Sequence, residues 1–127
     1  MTKKLALIAL LAIGAIACKK EDDSENPVIT IFTPTTNQEF ESADSVTISF
    51  KAEDSDLHEV GFTITNTSDN AVLFDFPAEH THDNPLVFNK NYKIVVASHT
   101  DAKLTITAED HNGNMSSKSV NFHIHPM

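Results

Sequence analysis

The stretch that most limits what this chain can become is residues 104–124, LTITAEDHNGNMSSKSVNFHI. Leu104, Ile106 and Ala108 are apolar at every second position, and Val120, Phe122 and Ile124 repeat the pattern beyond Asn112-Gly113. A period of two is what a strand with one buried face requires. Asn-Gly accepts the positive φ angles of a type I′ turn, the strongest short-range hairpin signal. The segment therefore reads as two antiparallel strands closed by a tight turn, the last hairpin of a small β-sandwich.

Upstream, the same alternation recurs in short runs. Residues 28–33 form a first strand ended by Pro34, and a polar stretch through Asp44 follows. Residues 45–52 place Val46, Ile48, Phe50 and Ala52 inward, and residues 57–65 do the same with Val60, Phe62 and Ile64. A turn cluster at 66–70 leads to Val72, Phe74 and Phe76; a loop at 77–85 leads to Phe88, Tyr92, Ile94 and Val96. Seven short strands with turn signals between them predict an all-β, seven-stranded antiparallel β-sandwich over residues 27–127. That length suits one domain with a single core. The pattern resembles bacterial immunoglobulin-like and fibronectin-like domains. Its carriers are Pro27-Val28-Ile29-Thr30-Ile31, Phe50-Lys51-Ala52-Glu53-Asp54 and the residues from Ala108 to Asn114. Trp is absent and Cys18 is the single cysteine, so neither the central Trp nor the inter-sheet disulfide of antibody domains is present. Phe62 is predicted to fill the central space, and the core must supply the stability alone.

The N-terminus carries an address. A basic start with Lys3 and Lys4, an uncharged run over residues 5–17 and the small residues around Ala15 and Ala17 read as a signal peptide over residues 1–17. The run falls short of the roughly 20 residues that a membrane-spanning helix needs. Ala15-Ile16-Ala17-Cys18 resembles a bacterial lipobox, which implies cleavage before Cys18 and lipidation of its thiol. Residues 18–26 then form an acidic, flexible tether without a hydrophobic residue after the cysteine. The order Lys19-Lys20-Glu21-Asp22-Asp23 resembles the surface-export signal of Bacteroidetes lipoproteins, which implies an outer-membrane anchor and exposure at the cell surface.

Charge excludes one class of partner. The formal net charge is −9, and loss of Lys3 and Lys4 with a cleaved leader takes it to −11. With no arginine and this acidity, a phosphate backbone is repelled, and nucleic acid is not an expected partner. Motifs exclude others. There is no G-x-S-x-G elbow, no H-E-x-x-H helix and no phosphate-binding glycine loop in a chain of three glycines, so an enzyme is not expected.

Seven histidines carry the remaining chemistry. With strands up and down, His58, His80, His82 and His111 fall at one end of the sandwich, and His99, His123 and His125 at or near the other. His80-Thr81-His82-Asp83 in extended backbone puts two rings on one side, able to hold zinc or copper with carboxylate completing the shell. His58 continues the parity of Val60 and Phe62 and is expected to hydrogen-bond the backbone. His123 and His125 face outward together, and His99 joins them only if its loop folds over the last strand. Asp54, Asp56 and Asp110 are hard oxygen donors of the kind calcium takes; the competing reading is that Asp54 and Asp110 hold turn amides. The function expected is a lipid-anchored, non-catalytic binding or scaffold module presenting loops to an envelope protein or extracellular ligand. The alternative is a zinc- or copper-binding lipoprotein.

Overall fold

A computed structural model of the chain describes residues 25–127; the predicted leader, Cys18 and most of the tether lie outside the described residues. The elements are β1 Val28–Thr33, β2 Glu39–Glu41, β3 Val46–Glu53, β4 Leu57–Asn66, β5 Val72–His80, β6 Leu86–Tyr92, β7 Thr100–Asp110 and β8 Met115–His125. They form two sheets, β1-β3-β6 and β2-β8-β7-β4-β5. The alternation that predicted the strands decides which face is buried. Val46, Ile48, Phe50 and Ala52 of β3 oppose Val60, Phe62 and Ile64 of β4 and Leu104, Ile106 and Ala108 of β7, and all ten are at most 4% exposed.

Phe62 sits at the centre of this core, in the space expected for it. Its ring stacks on Phe74 and Phe76 and meets Phe50, Phe88 and Tyr92 edge-on, with centroids 5.0–6.0 Å apart. Beside it, β4 bulges against β5 between Val60 and Phe62. Gly61 lies in that bulge because the backbone of β5 comes too close for a side chain: a Cβ there would be 2.6 Å from the Ala78 nitrogen. Gly61→Ala is therefore expected to push β5 off β4 at a cost of about 1–3 kcal/mol. An unshifted denaturation midpoint would contradict that close approach.

Four expectations are corrected. There are eight strands, because the polar stretch before Asp44 contains β2, which runs parallel to β8 and pairs Glu39 with His123 and Glu41 with His125. Phe40, between two glutamates, packs edge-on against Phe122 at 5.7 Å, and β2 thereby covers an edge that β8 would otherwise leave open. The order is not up and down either, since β6 crosses to pair with β3 while β7 pairs with β4. Antiparallel pairing nevertheless keeps the start of β4 and the ends of β5 and β7 together. Ile94 and Val96 are buried but lie past the end of β6, where the Val96 amide donates to the buried Ser42 hydroxyl at 3.2 Å.

The β7–β8 turn is the fourth correction. Gly113 has φ of 87° but Asn112 does not share it, so this is not a type I′ turn. The Gly113 amide donates to the Asp110 carbonyl and the Asp110 amide to the Asn114 carbonyl, a type I turn followed by a left-handed glycine. Asp110 dictates that choice. One carboxylate oxygen accepts from the Asn112 and Asn114 amides at 2.9 Å each, and the other from the Asn114 side chain.

Candidate metal centres

At the far end of β7 and β8, three imidazoles converge. The alternation of β8 buries Phe122 and Ile124 and turns His123 and His125 to the opposite face. Thr100 opens β7 directly opposite Ile124, and this register brings His99 over the pair. His99 Nδ1 lies 3.3 Å from His123 Nε2 and 3.1 Å from His125 Nδ1. An ion with bonds of about 2.0–2.1 Å to imidazole nitrogen, placed tetrahedrally, separates its ligand atoms by about 3.3–3.4 Å. The observed spacing is that of one edge of such a shell.

What stands behind the rings fixes which nitrogens face inward. His123 Nδ1 is 2.8 Å from Asp101 Oδ1, and His125 Nε2 is 2.5 Å from Glu39 Oε1. A carboxylate only accepts, so each ring donates its outer N–H and turns its other nitrogen's lone pair to the centre. Carboxylates behind metal-binding imidazoles hold the tautomer and raise ligand basicity in the same way. Glu39 feels the arrangement: the hydrogen bond from His125, then that ring's charge, hold its carboxyl below 4.5. Glu39 and Asp101 were not picked out from the sequence. The one local signal for Glu39 was Glu39-Phe40-Glu41, an alternation short enough to pass for loop.

The other end holds a second group. His58 near the start of β4, His80 at the end of β5 and His111 after β7 bring one nitrogen each to within 4.8 Å of one another. Their placement is a matter of backbone: Thr81 N donates to the His58 carbonyl and His111 N to the Asp56 carbonyl. His111 Nδ1 lies 2.9 Å from Asp56 Oδ1. His58, expected to bond the backbone, does not do so through Nδ1, which is buried with no hydrogen-bond partner among the described residues. Its ring instead lies 4.5 Å from that of His80 and 4.2 Å from that of His111. His82 stands beside His80 at 4.8 Å between rings, outside the convergent three. Asp83 turns back on its own loop, its amide donating to the Thr81 hydroxyl. Removal from water, then the charges of His58, His82 and His111, lower the His80 pKa below 6.5. That shift favours the neutral form of the ring, the form that binds a metal.

Two of the three aspartates weighed for calcium are otherwise engaged. Asp56 pairs with His111, and both oxygens of Asp110 hold the β7–β8 turn. Asp110 therefore takes the turn-holding role weighed against calcium. Burial alone would raise its pKa, but the hydrogen bonds from Asn114 and Asn112 outweigh it and hold the group below 3.8. A depressed folded value means that its stabilisation is complete above 3.8 and is lost as pH falls through the folded value. The thermal midpoint is expected to drop in that acid window, and Asp110→Asn should remove the drop. A midpoint difference between the two proteins that stayed constant into strong acid would contradict this role.

The two groups lie at opposite ends of β7, roughly 30 Å apart at a strand's rise per residue. Each is surface chemistry on a rigid sheet end, and each presents nitrogen donors suited to zinc, copper or nickel.

No protein-family model matches the chain, and no curated protein matches it. Solved structures do. Fibronectin(III)-like modules of Clostridium thermocellum CbhA align at TM-score 0.50 and 16% identity, over 76% of this chain and 94% of theirs. CopC from Methylosinus trichosporium OB3b aligns at TM-score 0.51 and 10% identity, over 78% and 95%. An engineered protein aligns at TM-score 0.50 and 16% identity over 80% of this chain, which spans 20% of that protein's length. At such identities the likeness is one of fold: the chain is an all-β, two-sheet sandwich similar to fibronectin(III)-like modules and to CopC.

Proposed function

We propose that this protein is an exported, non-catalytic lipoprotein whose immunoglobulin-like domain binds divalent transition metal, zinc or copper, at the two histidine groups. One observation carries the reading: His99, His123 and His125 aim three nitrogens at one point, and two of the rings are backed by carboxylates. If the three rings are neutral and His123 and His125 give their outer protons to the carboxylates, a single His99 Nδ1 proton is left to bridge contacts of 3.3 and 3.1 Å. A divalent ion satisfies all three at once. The group at His58, His80 and His111 is the second site, supported by the enclosed, unpartnered His58 Nδ1.

Anchoring belongs to the same reading. Cys18 after Ala15-Ile16-Ala17 is the lipid attachment point, and the acidic tether holds the domain off the outer membrane at the cell surface. Two or more acyl chains at roughly 0.8 kcal/mol per buried methylene anchor it stably. A second reading, a scaffold that presents its loops to an envelope protein or extracellular ligand, draws on the likeness to fibronectin(III)-like modules.

Calorimetric titration with zinc and with copper distinguishes the two. Two ions per chain are expected, falling to one in His58→Ala/His80→Ala. No saturable binding of either metal would leave the scaffold reading alone.

A further inference from the structure

We infer that the ion held by His99, His123 and His125 keeps one coordination position free of protein donors and takes there a small exogenous carboxylate, seated in the adjoining groove. This rests on the metal reading above and adds to it the ligand class of one site. Two separations among the three nitrogens, 3.3 and 3.1 Å, match edges of a four-cornered shell, so three imidazole donors leave its fourth corner to another ligand. The nearest carboxylates do not fill the fourth, because Asp101 and Glu39 sit behind the rings on the outer nitrogens of His123 and His125. Among the described residues the convergent set ends at those three. Shells of three protein ligands are the open kind, in which the remaining position exchanges water or another small donor.

The space beside the site has the matching chemistry. An open groove of about 560 Å³ runs along His123 and His125, within the range of small-molecule pockets. Asn37, Thr67 and Asn121 line it with neutral hydrogen-bonding groups, beside the carboxylates of Glu39 and Asp101. One oxygen each of Asp101 and Glu39 is held by an imidazole N–H, and a divalent ion at the three nitrogens would balance these two charges, so a small anionic donor at the open position meets no net repulsion there. A carboxylate suits both parts: one oxygen for the ion, one for the side-chain amides. The second histidine group differs, since His82 stands ready beside His80 as a fourth imidazole.

Cobalt(II) is the probe, because its visible bands report the number and type of its ligands. In the full-length protein carrying His80→Ala/His82→Ala, which weakens the other group, both azide and acetate are expected to shift those bands saturably. Adding Asn121→Leu should raise the half-saturating acetate concentration about tenfold, the value of one lost hydrogen bond, and leave azide unchanged. If no cobalt band is sensitive to His123→Ala/His125→Ala, the metal reading itself fails. If cobalt binds there but neither anion alters its bands, the open position is overturned while the metal reading stands. Equal effects of Asn121→Leu on azide and acetate would overturn the seat in the groove.

Discussion

His123→Ala/His125→Ala is expected to bind one zinc or copper ion where the proposed stoichiometry of the parent is two, with its fold intact. The two side chains lie on the face of β8 away from the core and are about a quarter exposed, 26% and 27%. Neither belongs to the buried core, so the cost to stability is expected to be smaller than that of a core truncation and the loss of metal is the dominant effect. The carboxylates behind them grade the result. Outer partners of metal-binding imidazoles typically contribute 10–100-fold in affinity, so Glu39→Gln and Asp101→Asn should each weaken binding by that order and leave the stoichiometry at two. Calorimetry reads both quantities. If the double alanine variant still bound two ions with parental affinity, the convergence of His99, His123 and His125 would be a polar cluster and nothing more.

Phe62→Ala is expected to lower unfolding free energy by about 3–5 kcal/mol, the usual cost of emptying a core position of an aromatic ring. Total stability of a domain this size is about 5–15 kcal/mol, so the loss is a large share of it. For roughly 100 residues each kcal/mol moves the thermal midpoint by about 4–8 °C, and a drop of about 12–40 °C follows. Five aromatic rings contact Phe62, one of them from β3, two from β5 and two from β6, so it joins the sheets where a disulfide joins them in other sandwiches. Only one cysteine exists in the chain, and no intrachain disulfide replaces that contact. Phe62→Leu, which keeps most of the volume, should recover most of the midpoint. Equal losses for the two variants would mean that the ring's position does not organise the core.

Much of the fold was legible because burial alternates along the strands. Val46 to Ala52, Val60 to Ile64 and Leu104 to Ala108 were read from a period of two, and the core contains them all. What escaped was short or compensated. β2 has three residues and exposes two glutamates, and its only apolar anchor is Phe40. Ile94 and Val96 have strand parity but serve a loop, since Ser42 holds the Val96 amide where a neighbouring strand would have paired with it. At the β7–β8 turn, Asn112-Gly113 carried the right signal for a hairpin and the wrong one for its type. The carboxylate of Asp110, two residues earlier, outbid it by accepting the turn's amides.

The histidines show the same division. Parity alone placed His123 and His125 on one face, and topology alone sorted the seven rings to two ends. Which group is the better metal site depended on partners distant in sequence. Glu39 reaches His125 across 86 positions through the parallel pairing of β2 with β8, and Asp101 reaches His123 through the β7–β8 register.

From residue order alone came the alternation of buried and exposed side chains, the acidic charge and the all-β class, because each is a local property of the chain. Tertiary structure decided the parallel seat of β2, the closure of His99 over β8, the burial of His58 Nδ1 and the carboxylates behind His123 and His125. Those depend on which strand edges meet and in what register, and pairing between distant segments leaves no periodic trace in either segment by itself.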